Sequence, residues 1–156
     1  MRTLAWVGLA AASLALLPPR LLAGDTGGRA EYVGGTVAGL PSKTEGELSI
    51  TDPEEFSFRI KTGAIRIPYS RIHTLEYGQQ VSRRYVSAVL VSPILLLSKK
   101  RRHYLSVGYA DEDGRNQAMV FEVDKNHIRP ILVGLEARTG RRVEYQDQEA
   151  RKGGKG

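Results

Sequence analysis

The sequence predicts a mainly β domain, a barrel or sandwich of about seven short antiparallel strands followed by one C-terminal helix. Three observations carry this. Apolar and polar residues alternate with period 2 in successive runs between Leu48 and Val123, the mark of strands with one buried face. Most of these runs end after a few residues at a Gly, Pro or Asp turn signal, which suits antiparallel hairpins better than βαβ units. The period then changes to 3.6 after Asn126, where one apolar stripe begins.

Residues 1–24 read as a signal peptide. Arg2 supplies the positive start, Leu4 to Leu17 is an uncharged run rich in Leu and Ala, and Pro18-Pro19 breaks it before Leu22-Ala23-Gly24. The run is shorter than the about 20 apolar residues that span a bilayer. Cleavage is expected after Ala23 or Gly24, which places the mature chain in the periplasm or cell envelope. A retained membrane anchor is the alternative. Residues 25–42 are glycine-rich and read as a flexible segment, with a possible first strand at Glu31-Tyr32-Val33.

The folded domain is expected over residues 43–146. Leu48 and Ile50 alternate with Glu47, Ser49 and Thr51, and Asp52-Pro53-Glu54 turns the chain. Phe56, Phe58 and Ile60 mark the next strand, and Thr62-Gly63 the next turn. Ile65 and Ile67 follow, Pro68 ends that strand, and Ile72 to Tyr77 forms another. Leu105, Val107 and Tyr109 then pair with a returning strand, Gln117 to Asp124, through a two-residue hairpin signal at Asp113-Gly114. Ile128, Ile131, Leu132 and Leu135 stand at i, i+3, i+4 and i+7, which predicts a helix from about His127 to Thr139. Asn126 is the expected N-cap, Pro130 falls near the first turn and Gly140 supplies the stop. Val143 and Tyr145 suggest a short last strand. Residues 147–156 are charged and Gly-rich and read as a disordered basic tail.

Gly46-Glu-Leu-Ser-Ile-Thr51, Phe56 and Phe58, Ile67-Pro68-Tyr69, then Ile72 and Leu75-Glu76 resemble the GRAM and bacterial pleckstrin-homology-like (PH-like) pattern. The resemblance spans roughly Tyr32 to Tyr145. It implies a partly open barrel of two near-orthogonal sheets with the C-terminal helix plugging one end. A helix with one apolar stripe must bury it, and the open mouth of a small barrel suits it. A secretion signal and an added apolar stretch set this chain apart from cytosolic phosphoinositide-binding relatives.

That stretch is Tyr85 to Ser98, fourteen residues without charge, preceded by Arg83-Arg84 and followed by Lys99-Lys100-Arg101-Arg102. Pro93 divides it. Three readings stand open. It is a buried segment with basic exits. It dips into lipid through Val89, Leu90, Ile94, Leu95 and Leu96 while the flanking cations hold anionic head groups. Or it docks on another envelope protein.

Composition narrows the function classes. The absence of cysteine excludes a disulfide framework, a thiolate nucleophile and a Cys-ligated zinc site. The net charge is +6, of which Arg2 and Arg20 lie ahead of every acid, so the bias of the mature chain is mild. The basic run at Lys99 to Arg102 lacks the recognition helix or aromatic ladder of a nucleic-acid binder, so no such partner is expected. Asp111-Glu112-Asp113 lacks the further ligands of a calcium loop. His73, His103 and His127 lack zinc spacing. The glycines fit neither a dinucleotide nor a phosphate loop, and no cofactor is expected. The sequence therefore points to a non-enzymatic binding or adaptor module whose partner is an anionic lipid surface or an envelope protein. A small hydrolase built from Ser42, Ser49 or Ser106 with a distant His and acid is the competing class.

Overall fold

The computed structural model describes residues 27–81 and 102–146, together with Arg151, Lys152 and Gly154. The strands are β1 (Gly27–Gly35), β2 (Thr44–Ser49), β3 (Glu55–Ile60), β4 (Gly63–Pro68), β5 (Ile72–Gly78), β6 (His103–Ala110), β7 (Asn116–Val123) and β8 (Val143–Tyr145). A 3-10 turn, Tyr69–Arg71, joins β4 to β5, and the helix α1 (Lys125–Thr139) lies between β7 and β8. The fold is mainly β, as the alternation predicted. The strands form one mixed sheet in the order β4-β3-β2-β1-β7-β6-β5-β8, which is not closed on itself. β1 to β7 pair antiparallel, whereas β8 joins β5 in parallel through Leu75↔Val143.

β1 is longer than its three-residue sequence signal. It holds the centre of the sheet, between β2 and β7, and is bulged between Tyr32 and Gly34. A bulge bends a strand and raises its local twist, which helps a long sheet curl around a core. Gly35 follows, where backbone and side chain approach closely. A Cβ there would lie 2.3 Å from the Ala118 carbonyl oxygen and 2.5 Å from the Tyr32 hydroxyl.

The concave face collects the alternating apolar residues of the strands. Leu48, Phe56, Phe58, Ile67, Leu75, Leu105, Met119 and Phe121 are all buried in one cluster. Phe121 is its hub, with ring centroids 4.9 Å from Phe58 and 6.1 Å from both Phe56 and Tyr32. Edge and tilted contacts of this kind add to area burial because ring edges are positive and faces negative. α1 buries Ile128, Ile131, Leu132 and Leu135, the predicted stripe, and packs on β1 and the 3-10 turn.

Local details depart from expectation at three places. The N-cap is Asp124 rather than Asn126, because the Asp124 carboxylate already accepts the Asn126 N–H at 2.8 Å and starts the helix two residues sooner. Pro130 therefore sits two residues further in, where it deprives the Asn126 carbonyl of its usual helical donor. The β6–β7 connection is a five-residue loop, Asp111 to Arg115, rather than a two-residue turn. Asp111 N–H donates to the Arg115 carbonyl, and Gly114 takes φ 78°, the left-handed residue such a loop requires. The Gly140 stop stands as expected, at φ 67° with its N–H on the Glu136 carbonyl at 3.0 Å.

Candidate functional site

Antiparallel pairing of β5 with β6 runs to Gly78↔Tyr104. The long connection between these strands therefore begins and ends at one place on the rim. Arg83, Arg84, Val89, Leu90, Ile94, Leu95, Leu96, Lys99, Lys100 and Arg101, with the rest of Tyr85–Ser98, lie outside the described residues. So does the segment 1–24, read above as a signal peptide. The two ends of the connection are described, and both rest on the convex face of the sheet. Val81 is buried there with Val33, Tyr104, Ala118 and Val120. Arg102 makes a forked pair with Glu122, at 2.6 and 2.5 Å to the two carboxylate oxygens. Those hydrogen bonds, and then the Glu122 charge, raise the Arg102 pKa above its ordinary value. One of the six flanking cations is thus engaged within the fold.

The convex face has an apolar patch that alternation did not reveal. Val33, Tyr104 and Val120 are buried on it, beside the buried polar pair Glu76 and Ser106. Glu76 faces Ser106 across β5–β6, and Ser106 faces Val120 across β6–β7. Glu76 Oε1 accepts from the Gln146 amide at 3.3 Å, while its Oε2 has no hydrogen-bond partner among the described residues. The signal in the sequence was the unbroken run Ala118-Met119-Val120-Phe121. A strand with both faces covered reads as continuous apolar character rather than alternation.

His103 lies at the rim end of β6 with its Nδ1 2.5 Å from the Tyr77 hydroxyl. Burial, and then the charge of Lys125, hold its pKa below the ordinary imidazole value, against the opposing pull of Asp124. His73 is exposed and reaches only Thr74, and His127 stands 3.7 Å from Asp124 on the first turn of α1.

The acidic tip is held by its own loop. Asp111 accepts from the Asp113 and Arg115 backbone N–H groups, the Arg115 guanidinium and the Gln117 amide. The Gln117 hydrogen bond and the Arg115 N–H keep its carboxyl below the ordinary range. Ser49 meets Thr51 at 3.1 Å. Among the described residues, no hydrogen bond joins Ser42, Ser49 or Ser106 to a histidine or an acid, and no three His, Asp or Glu side chains converge as metal ligands. No helix among those residues is long and apolar enough to cross a membrane.

Clefts open on the surface of the described residues. One, of about 1070 Å³, runs from the start of β1 past Glu45, Glu47, Arg59 and Lys61 to His127, with charges of both signs along it. Another, of about 400 Å³, lies between the C-terminus of α1 and β8. It is lined by Glu136, Gly140, Arg141, Arg142, Val143, Tyr145 and Arg151. No family model matches the chain, and no curated protein matches it.

Proposed function

We propose that this chain is a non-enzymatic binding module of PH-like architecture, exported to the bacterial cell envelope, that associates peripherally with anionic membrane through Tyr85–Ser98 and its basic flanks. The order of elements supports the architecture: a meander of β1 to β4, a second of β5 to β7, then one amphipathic helix. The observation that carries the function is the β5–β6 register. The connection starts and ends at one point; in the sequence Arg83-Arg84 follow its first end and Lys99–Arg101 precede its second, with an uncharged stretch between them. A cation near an anionic leaflet contributes about 1 kcal/mol, and buried apolar area about 25 cal/mol per Å².

A second reading is favoured by the buried cluster of Val33, Val81, Tyr104, Ala118 and Val120. In it the apolar stretch belongs to the protein interior and never meets lipid. One series separates the two. Vesicles with anionic head groups are sedimented with the parent, with Leu95→Ser/Leu96→Ser and with Lys100→Gln/Arg101→Gln, alongside melting curves. Lipid contact predicts that the leucine variant loses vesicle binding at an unchanged melting temperature. The lysine–arginine variant then loses it chiefly at low salt, since screening acts over about 10 Å at 0.1 M. A leucine variant that melts early, with a parent that ignores vesicles, establishes the interior reading instead.

A further inference from the structure

We infer that the cleft between the C-terminus of α1 and β8 is an anion site for a dianionic phosphate group, held by Arg141, Arg142 and Arg151. At about 400 Å³ it has the size of a small-molecule site. Its charge is one-sided. Three arginines line it against one acid, Glu136, whose Oε1 is already taken by the Val143 N–H at 2.7 Å. Among the described residues no acid forms an ion pair with any of the three arginines. Among the described lining residues a positive surplus of two remains, which matches the charge of a phosphomonoester or of free hydrogen phosphate. Guanidinium is the group whose planar fork fits phosphate oxygens two at a time.

The walls suit the task. Val143 is a buried floor, and Tyr145 stands beside it. Burial, and then the nearby Glu136, raise the Tyr145 pKa, so its hydroxyl keeps its proton at neutral pH. Repair of the negative helix end is the ordinary task of basic residues placed here. Part of that end is already satisfied without their side chains: the Gly140 N–H takes the Glu136 carbonyl and the Thr139 hydroxyl takes the Leu135 carbonyl. The site lies apart from Tyr85–Ser98 in sequence and stands whether or not that segment meets lipid.

The test is a titration of the full mature chain with sodium phosphate at constant ionic strength, followed by amide shifts at residues 140–145. The parent is expected to saturate with Kd of about 1 mM or lower. Arg142→Gln/Arg151→Gln should weaken binding about tenfold or more, the scale of lost charge-assisted hydrogen bonds. Arg142→Lys, which keeps the charge and loses the fork, should fall between. All three positions are exposed, so melting temperatures should hold. A second arm uses phosphatidylcholine vesicles with and without phosphatidic acid, on a Leu95→Ser/Leu96→Ser background that removes the other contact. Phosphatidic acid binding that depends on Arg142 and Arg151 assigns the site to a lipid-borne phosphate, and phosphate binding alone assigns it to a soluble one. Failure to saturate in both arms, or equal binding by the double glutamine variant, overturns the site.

Discussion

His103 shows how a single residue couples packing to pH. Its ring is hydrogen-bonded with the Tyr77 hydroxyl and lies near Lys125, and both burial and that cation disfavour the imidazolium. The folded pKa is therefore lower than the unfolded value of about 6.5. Below that value the unfolded chain binds more protons than the native one, so stability is complete above about pH 6.5 and declines as pH falls through the folded pKa. The melting temperature should drop between about pH 7 and pH 5, and His103→Gln should flatten that part of the profile. An identical slope in parent and variant removes His103 from the linkage. Asp52 and Asp111 act lower on the scale. Each carboxyl is held below its ordinary value by hydrogen bonds, at Asp52 from the Glu54 and Glu55 N–H groups, so their contribution fades only in acid. Tyr32 stays protonated throughout, since burial pushes it up to about 12.

At the scale of elements, α1 has the most to lose from one substitution. Its four buried side chains have relative exposures of 0–1%, so they have no route to water. Leu132→Asp would place an unpaired carboxylate in that packing and should cost several kcal/mol, about the penalty of burying an unsatisfied polar group. Urea denaturation checks it, and a variant with the parent's midpoint would detach the helix from the core. The helix stripe was legible because it repeats over eight consecutive residues, 128–135. Its start was not, since Asp124 and Asn126 are equally good caps and the choice depends on where β7 releases the chain. The β6–β7 loop went the same way. Gly114 was legible as the left-handed residue, but the loop length depends on how far β6 and β7 stay paired, to Ala110↔Asn116.

For the whole molecule, export is the reading with the plainest consequence. Arg2, the apolar run and Ala23-Gly24 follow signal-peptide order, so protein recovered from the envelope of the native host should begin near Gly24 or Asp25. N-terminal sequencing decides it: an intact Met1 would contradict cleavage, and recovery from the cytosol would contradict export. That expected start lies close to Gly27, where β1 begins in the middle of the sheet. Trimming beyond that point would remove the strand that joins β2 to β7, whereas trimming before it would leave every described strand intact.

Most of the strands, the apolar stripe of the helix and the turn glycines were legible in the chain, because each depends on periodicity or turn chemistry within a few residues. Phe56 and Phe58 face inward wherever their strand sits, and Gly140 ends a helix whatever packs on it. Only the tertiary structure decided which strands are neighbours. β1 sits between β2 and β7, and β8 lies parallel to β5, through pairings between residues far apart in the chain that no local pattern encodes. The sites divide in the same way. The cations around Tyr85–Ser98 were visible as a run, but the capture of Arg102 by Glu122 was not. The cleft of Arg141, Arg142 and Arg151 was invisible, because two elements and a later stretch of chain must converge before its charges share one space.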